Sequence, residues 1–195
     1  MSKKLFPHRF FIDKSKRNAQ KKHASFVVWL TGLSGAGKST LADEIEQYLF
    51  KKGVHTFILD GDFLRHGLNS DLSFSDEERT ENIRRVGEVA HLFVDAGIVV
   101  IAAFVSPFEA DRNQVKKLVG AENYIEIFVD TSVETCAERD TKGLYHRASK
   151  GEIALPGVTS TYEKPISPDF VIAPENMECS MIEIWGALDK KLQLR

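Results

Sequence analysis

Short apolar runs alternate with amphipathic stretches along most of this chain, and the alternation predicts its secondary structure. Continuous apolar runs at positions 26–30 and 98–105 are typical of strands buried on both faces of a sheet. The largely apolar stretches at 55–59, 124–129 and 170–172 are also predicted to be strands. Apolar residues at helical spacing predict helices at about 40–50, 63–68, 75–96, 109–119, 133–140 and 177–194. This repeated strand–helix alternation predicts an α/β fold, with a parallel sheet and helices on both of its faces.

The break between the first strand and the first long helix carries a pattern typical of phosphate binding. It fits G-x-x-x-x-G-K-[ST] at every fixed position, in the stretch Gly32, Leu33, Ser34, Gly35, Ala36, Gly37, Lys38, Ser39 and Thr40. Glycines allow a tight turn whose N–H groups approach phosphate oxygens at a helix N-terminus. The pattern places Lys38 near the β- and γ-phosphates and the Ser39 hydroxyl near Mg²⁺. The alternative is a glycine turn that binds nothing, and the complete pattern with both flanks argues against it.

Two carboxylates, Asp60 and Asp62, lie directly after the second predicted strand. Ligands of open α/β sheets bind at the carboxyl ends of the strands, so these residues are candidates for metal binding and for a catalytic base. The alternative is that Asp62 only caps a short helix, which would leave Asp60 unexplained.

Cationic residues gather in the middle of the chain, where they would suit an anionic substrate. Arg79 and Asn82 are three positions apart and share a face near the start of the helix predicted at 75–96. Arg65, Arg84 and Arg85 complete the cluster. We expect Arg84 or Arg85 to pair with a glutamate of the same helix. Such a pair is less expected for Arg79.

The segment from about 142 to 165 is rich in glycine, proline and basic residues, and its periodicity is weak. It is therefore predicted to lack regular structure. Long irregular segments are usually functional or disordered, and in a phosphoryl-transfer enzyme the function would be a lid that excludes water.

Length and composition narrow the class of protein. The 195 residues suit one α/β domain at 25–195, or less readily two small ones, preceded by a basic leader at 1–24. A net charge of −2 argues against nucleic-acid binding, and no apolar run is long enough to span a membrane. Two cysteines without a CxxC pair favour a reducing compartment, so we expect a cytoplasmic protein. The leader and the last helix could contribute to a homodimer.

The remaining motifs separate the classes of phosphate-binding protein. The chain has no N-K-x-D guanine-reading motif, and Asp60-Gly61-Asp62 is not the D-x-x-G of a GTPase switch. A phosphate loop, acidic residues after the second strand, a cationic pocket and a lid together favour a small-molecule kinase. A nucleotide-responsive binding module, supported only by the basic leader, is the non-catalytic alternative.

Five blocks in fixed order make the chain similar to the adenylylsulfate (APS) kinase family. They are the loop at 32–40, Leu59-Asp60-Gly61-Asp62 with Arg65, Glu81-Asn82-Ile83-Arg84-Arg85, Val105-Ser106-Pro107-Phe108, and Arg139-Asp140 with Lys142-Gly143-Leu144-Tyr145. That family transfers the γ-phosphate of ATP to the ribose 3′-hydroxyl of adenosine 5′-phosphosulfate (APS), giving PAPS for sulfate assimilation. The resemblance implies a fold of the P-loop nucleoside triphosphate hydrolase type, the cofactor Mg²⁺, and the small-molecule substrates ATP and APS.

On the donor side, the resemblance assigns ATP to the loop at 32–40, with Lys38 as a catalytic residue. It assigns Mg²⁺ to Ser39 and Asp60, and it places Arg139 near the ATP adenine.

On the acceptor side, the resemblance makes Asp62 the residue that orients or deprotonates the acceptor hydroxyl. It assigns the rest of APS to Arg65, Phe74, Arg79 and Asn82, with Phe74 stacking on the adenine. Ser106 matches a family position assigned to a phosphoserine. In-line transfer needs no covalent step, so Ser106 could instead hydrogen-bond the substrate.

The lid departs from the family pattern. The family usually reads F-T-G-I where this chain has Leu155-Pro156-Gly157-Val158. Leu155 would cover the acceptor adenine without an aromatic face, so a kinase of the same fold acting on another nucleotide-like acceptor stays an alternative.

Overall fold

A parallel sheet of five strands forms the centre of the computed structural model, which describes His8, residues 10–173 and residues 176–194. Its strands are β1 (Val27–Thr31), β2 (Thr56–Asp60), β3 (Val99–Ala103), β4 (Tyr124–Val129) and β5 (Phe170–Ile172). They lie in the order β2-β3-β1-β4-β5, and every neighbouring pair is parallel. All five predicted strands are therefore present in the structure.

Eight α-helices and one 3₁₀ turn (Ala121–Asn123) surround the sheet in the part of the chain that the structure describes. The helices are α1 (Lys14–Lys21), α2 (Lys38–Lys51), α3 (Gly61–Arg65), α4 (Asp76–Asp95), α5 (Glu109–Val119), α6 (Val133–Arg139), α7 (Leu144–Ser149) and α8 (Met177–Leu192). None of these helices has the length and apolar character that a membrane span would need.

Two apolar clusters cover opposite faces of the sheet. Alternate residues of β1 face opposite ways, so Val28 and Leu30 pack with α2 and α8, whereas Val27 and Trp29 pack with α4 and α5. All five residues of β1 are buried, as are all five of β3. The predicted arrangement of helices on both faces is confirmed.

The strand order brings the candidate site residues to one edge of the sheet. The carboxyl ends of β1, β2 and β3 lie side by side, because Ala103 pairs with both Leu30 and Asp60. The phosphate loop, Asp60 and Ser106 follow these three ends, where ligands of open α/β sheets bind.

The leader is partly helical, which the sequence analysis did not predict. Asp13 caps α1 by accepting from the Lys16 amide, and Arg17 pairs with Asp95 at 2.6 Å. Its residues are mostly charged or polar, so no apolar periodicity marked it as a helix. Positions 1–7 and Arg9 of the predicted leader lie outside the described residues.

One local prediction was wrong, and one alternative is excluded. The segment at 142–165 does contain regular structure, because α7 forms within it after Gly143 and turns its buried Tyr145 inward. The short helix after β2 is capped by Asp60, whose side chain accepts from the Asp62 amide, so the alternative that Asp62 only caps this helix is excluded. The strand runs one residue further than predicted, which moves the cap back to Asp60.

Candidate active site

The loop between β1 and α2 has the conformation that its glycines were expected to allow. Gly32, Gly35 and Gly37 have φ angles of 154°, 78° and 108°. A Cβ atom at Gly32 would lie 2.6 Å from the Val129 carbonyl oxygen, so any side chain there would collide with the backbone of β4. The loop leads directly into α2 through the N-cap residue Gly37. The N–H groups in the first turn of a helix have no partner within the helix, so they can bind an anion.

Lys38 folds over the loop. Its ammonium donates hydrogen bonds to the carbonyls of Gly32 at 3.0 Å and Leu33 at 2.8 Å. Only 9% of the residue is exposed, and this burial lowers the lysine pKa to about 8. The cation therefore lies in a desolvated position, where its attraction to a phosphate is stronger than in water.

Ser39, Asp60 and Asp62 form a short hydrogen-bonded chain. The Ser39 hydroxyl donates to Asp60 Oδ2 at 2.9 Å, and Asp60 Oδ1 accepts from the Asp62 amide at 2.9 Å. Within the described ranges no group of three or more histidine, cysteine or acidic side chains could hold a metal. Mg²⁺ is usually bound through one or two carboxylates together with substrate phosphates, so a hydroxyl and a carboxylate at contact distance fit that ion.

Asp62 forms an ion pair with Lys142, from the loop between α6 and α7. Both side chains are more than half exposed, so the pair is accessible to a ligand. Lys142 was not among the predicted site residues. The only signal was its place in the block before α7, since eighty positions separate the two partners.

Two guanidinium groups lie near the Phe74 ring. The Arg65 guanidinium is 4.1 Å from the centre of the ring and that of Arg79 is 5.5 Å away. Burial lowers the pKa of both arginines, and both nonetheless stay charged. The Phe74 ring is 59% exposed, so two cations and an aromatic face are presented together.

Backbone carbonyls hold these arginines in place. Arg65 donates to the carbonyls of Leu72 and Ser73, and Arg79 donates to those of Phe74 and Ala154. Arg84 and Arg85 instead pair with Glu81, as expected of this helix. No acidic partner of Arg79 occurs among the ion pairs of the described ranges.

Asn82 and Ser106 are the two buried polar members of the predicted acceptor set. Asn82 Oδ1 accepts from Asn69 Nδ2 at 3.0 Å. Ser106 is 2% exposed, and its hydroxyl accepts from Trp29 Nε1 at 3.1 Å. Its φ angle of 39° lies in the left-handed region, which costs a residue other than glycine about 1–3 kcal/mol. The surrounding contacts compensate for this strain, and a substrate contact from Ser106 stays a prediction.

The segment at 142–165 lies against the phosphate loop. Tyr145 Oη donates to the Ser34 carbonyl at 2.8 Å, and a Cβ atom at Gly157 would lie 2.4 Å from Leu33 Cδ2. Leu155 is 5% exposed and packs in the core cluster that contains Leu33. The described contacts of Leu155 are thus with the protein, and its predicted contact with an acceptor base stays a prediction.

Arg139 also contacts the phosphate loop, because its Nη1 donates to the Gly35 carbonyl at 3.3 Å. The structure thus gathers at one sheet edge a phosphate cradle with a buried lysine, a hydroxyl–carboxylate pair, an exposed carboxylate, and a cation–aromatic surface. This set of groups can bind a nucleoside triphosphate and hold a second anionic substrate beside it.

Comparison with known proteins agrees with this chemistry. A family model described as adenylylsulphate kinase matches residues 24–173. A curated adenylyl-sulfate kinase of Geotalea daltonii is 53% identical over 172 residues, which are 88% of this chain and 82% of that protein. The one of Geotalea uraniireducens is 58% identical over 151 residues, 77% of this chain and 73% of that protein.

A solved structure shows the same fold. It is the Mycobacterium tuberculosis APS kinase in complex with AMPPNP and APS, with a TM-score of 0.79 and 40% identity. The alignment covers 86% of this chain and 98% of that one.

Proposed function

This chain belongs to the adenylylsulphate kinase family, and we propose that it transfers the γ-phosphate of ATP to the ribose 3′-hydroxyl of APS. It is an enzyme of the P-loop α/β fold that phosphorylates APS at the expense of ATP. One observation supports the assignment of residues: Asp60 contacts Ser39 through one carboxylate oxygen and the Asp62 amide through the other. The donor and acceptor groups are therefore adjacent.

On the donor side, the loop N–H groups and Lys38 bind the triphosphate. The ammonium exchanges its two loop carbonyls for the β- and γ-phosphate oxygens, and it stabilises the charge that develops during transfer. Ser39 and Asp60 would hold Mg²⁺, which when bound neutralises negative charge on the phosphate oxygens.

On the acceptor side, Asp62 accepts the proton of the attacking hydroxyl. Its carboxylate is exposed at the sheet edge, and its backbone is fixed by the hydrogen bond to Asp60. Lys142 supplies a cation beside this carboxylate and beside the phosphoryl group as it passes.

The cation–aromatic surface binds APS. Arg65 and Arg79 pair with the phosphosulfate, Asn82 supports the ribose, and the Phe74 ring stacks on the adenine. Ser106 would hydrogen-bond the substrate and not form a phosphoserine, because charge stabilisation and positioning suffice for transfer without a covalent intermediate.

We also propose that the enzyme acts in the cytoplasm on these two small molecules. Cys136 and Cys179 are both free, as suits a reducing compartment. A homodimer stays a prediction that a measurement of mass in solution would check.

Release of ADP in a coupled assay with Mg²⁺-ATP tests the function directly. We expect turnover that depends on APS and a product phosphorylated at the 3′ position, as read by ³¹P NMR. A panel of nucleoside mono- and diphosphates should react far more slowly. Turnover with a panel member but not with APS would favour the alternative acceptor and overturn the proposal.

Replacing Phe74 with leucine should raise the KM for APS by roughly 10-fold, since base stacking contributes about 1–3 kcal/mol. The kcat should change less, because leucine leaves the donor groups untouched. Steady-state kinetics with varied APS would measure both. Phe50→Leu is a matched control, since Phe50 is also exposed and lies at the end of α2. Equal KM values for the two variants would contradict a stacking role.

The kcat/KM for ATP should fall as the pH rises through about 8. Burial lowers the Lys38 pKa to about 8, and only the protonated ammonium attracts phosphate, so activity is lost on the alkaline side. Initial rates at low ATP between about pH 6.5 and 9.5 would show this limb. A Lys38→Arg variant stays charged throughout, so its lower activity should be flat over that range. A flat profile for the unmodified enzyme would contradict the assignment.

A further inference from the structure

We infer that Arg112 and Glu163 are positioning residues, which fasten the end of the lid segment (residues 142–165) to the strand end that carries Ser106. The inference rests on the proposed kinase function. Neither residue belongs to the sets assigned above to ATP, Mg²⁺ or APS.

Arg112 bridges three separate parts of the chain from a buried position. Its Nη1 donates to the Ser106 carbonyl at 2.7 Å and its Nη2 to the Glu163 carbonyl at 2.8 Å. Its Nε lies 3.1 Å from a carboxylate oxygen of Glu126 in the sheet. Since the side chain is 2% exposed, the planar guanidinium fixes the distance between Ser106 and the lid.

Glu163 is fastened to the same region at three points. Its amide donates to the Pro107 carbonyl at 2.8 Å, and its carbonyl accepts from Arg112. Its carboxylate accepts from the Glu109 amide at 2.7 Å, in the first turn of α5. A carboxylate at a helix N-terminus is stabilised by the free N–H groups and by the helix dipole.

These contacts also maintain the conformation of Ser106. A left-handed serine persists only when its surroundings determine it, and here Trp29 holds its hydroxyl while Arg112 holds its carbonyl. Loss of the Glu163 carboxylate contact with the Glu109 amide would let the Glu163 backbone move, and with it the carbonyl that binds Arg112.

Hydrogen bonds near both ends of the lid also link it to the ATP-binding loop. Next to Glu163, the Tyr162 hydroxyl lies 3.0 Å from Thr31 Oγ1, directly before Gly32. At the other end, Tyr145 donates to the Ser34 carbonyl. Fixed ends hold the lid over the phosphates, where it excludes water, which would otherwise compete with the acceptor hydroxyl.

The test uses Glu163→Ala in the full chain. The residue is exposed, so the variant should fold, with a melting temperature within a few degrees of the unmodified enzyme. We expect kcat with APS to fall about 10-fold, with a nearly unchanged KM for ATP. The ratio of ADP released to APS phosphorylated should rise above one, because water then accepts phosphate. Glu163→Gln keeps an oxygen that can accept from the Glu109 amide, so it should restore most of the rate.

Glu183→Ala is the matched control, since Glu183 is another exposed glutamate, on α8. It should retain the kcat and a ratio of one. A wild-type rate and ratio for Glu163→Ala, or failure of the glutamine variant to restore activity, would overturn the inference.

Trypsin cleavage at the exposed Lys150 gives a readout that needs no APS. It should be several-fold faster in Glu163→Ala than in either the unmodified enzyme or the control, and equal cleavage would overturn the inference. If the unmodified enzyme showed no turnover with APS, the proposed function would fail by itself, and this cleavage would still decide whether Glu163 holds the lid.

Discussion

Replacing Asp62 with asparagine is expected to lower kcat for APS by about 10²–10⁴-fold, the usual range for loss of a positioned acid–base group. The amide keeps the shape of the side chain but cannot accept the proton of the attacking hydroxyl. The backbone bond to Asp60 is independent of the Asp62 side chain, so the helix after β2 should stay in place. The KM for ATP should therefore change by no more than about threefold, because the donor groups are intact.

Single-turnover measurements with bound ATP would assign this loss to the chemical step. Asp95→Asn provides a matched control, since Asp95 is an exposed aspartate that also pairs with a cation, Arg17, at the far end of α4. An unaltered kcat in Asp62→Asn would remove Asp62 from the role of base. An equal loss of ATP affinity would instead place the residue on the donor side.

Replacing Lys38 with alanine should lower kcat/KM for ATP by about 10²–10³-fold, the usual loss when one preorganised donor to a developing charge is removed. This loss should differ from that of Asp62→Asn because it includes ATP binding. The ammonium is desolvated in the protein, so its contact with phosphate is worth more than a surface ion pair. Calorimetry with a non-hydrolysable ATP analogue would measure the affinity, and initial rates would measure kcat.

Lys51→Ala is the control for Lys38, because it removes an exposed lysine from the last turn of the same helix. It should leave ATP affinity and kcat unchanged. Lys38→Ala with normal analogue binding and a normal rate would show that the loop amides alone hold the phosphates.

Much of the architecture could be predicted from local pattern. The run Ile98–Val105 predicted a strand buried on both faces, and β3 is buried at every position. Ser75 and Glu78 predicted the start of α4, where the Ser75 side chain accepts from the Glu78 amide. These features depend on neighbours within a few residues, so periodicity and capping patterns are sufficient to find them.

Helices without an apolar stripe could not be predicted in this way. Helix α1 is made mostly of lysine, arginine and amide side chains, and it is held by contacts such as Lys14 with Asn123. Helix α7 is only six residues long, and it follows a glycine in a segment whose composition is typical of loops. Tertiary contacts stabilise both helices more than their own propensity does.

The sequence by itself determined the donor side of this enzyme. Gly32 to Ser39 are consecutive, so their order alone predicts a turn, a helix N-terminus, a lysine and a hydroxyl at one place in the fold. Asp60 was placed beside them by one further step, the rule that parallel strands end at a common edge.

Only the tertiary structure decided how the acceptor side is arranged. Lys142 contacts Asp62, which is eighty positions away in the sequence. Arg112 contacts both Glu163, fifty-one positions away, and Ser106, six positions away. These pairs depend on the strand order β2-β3-β1 and on the path of the lid, which no local pattern encodes. Bringing distant residues together costs the entropy of closing long loops. The packing of apolar helix faces on the sheet offsets this cost, so these contacts form only in the folded chain.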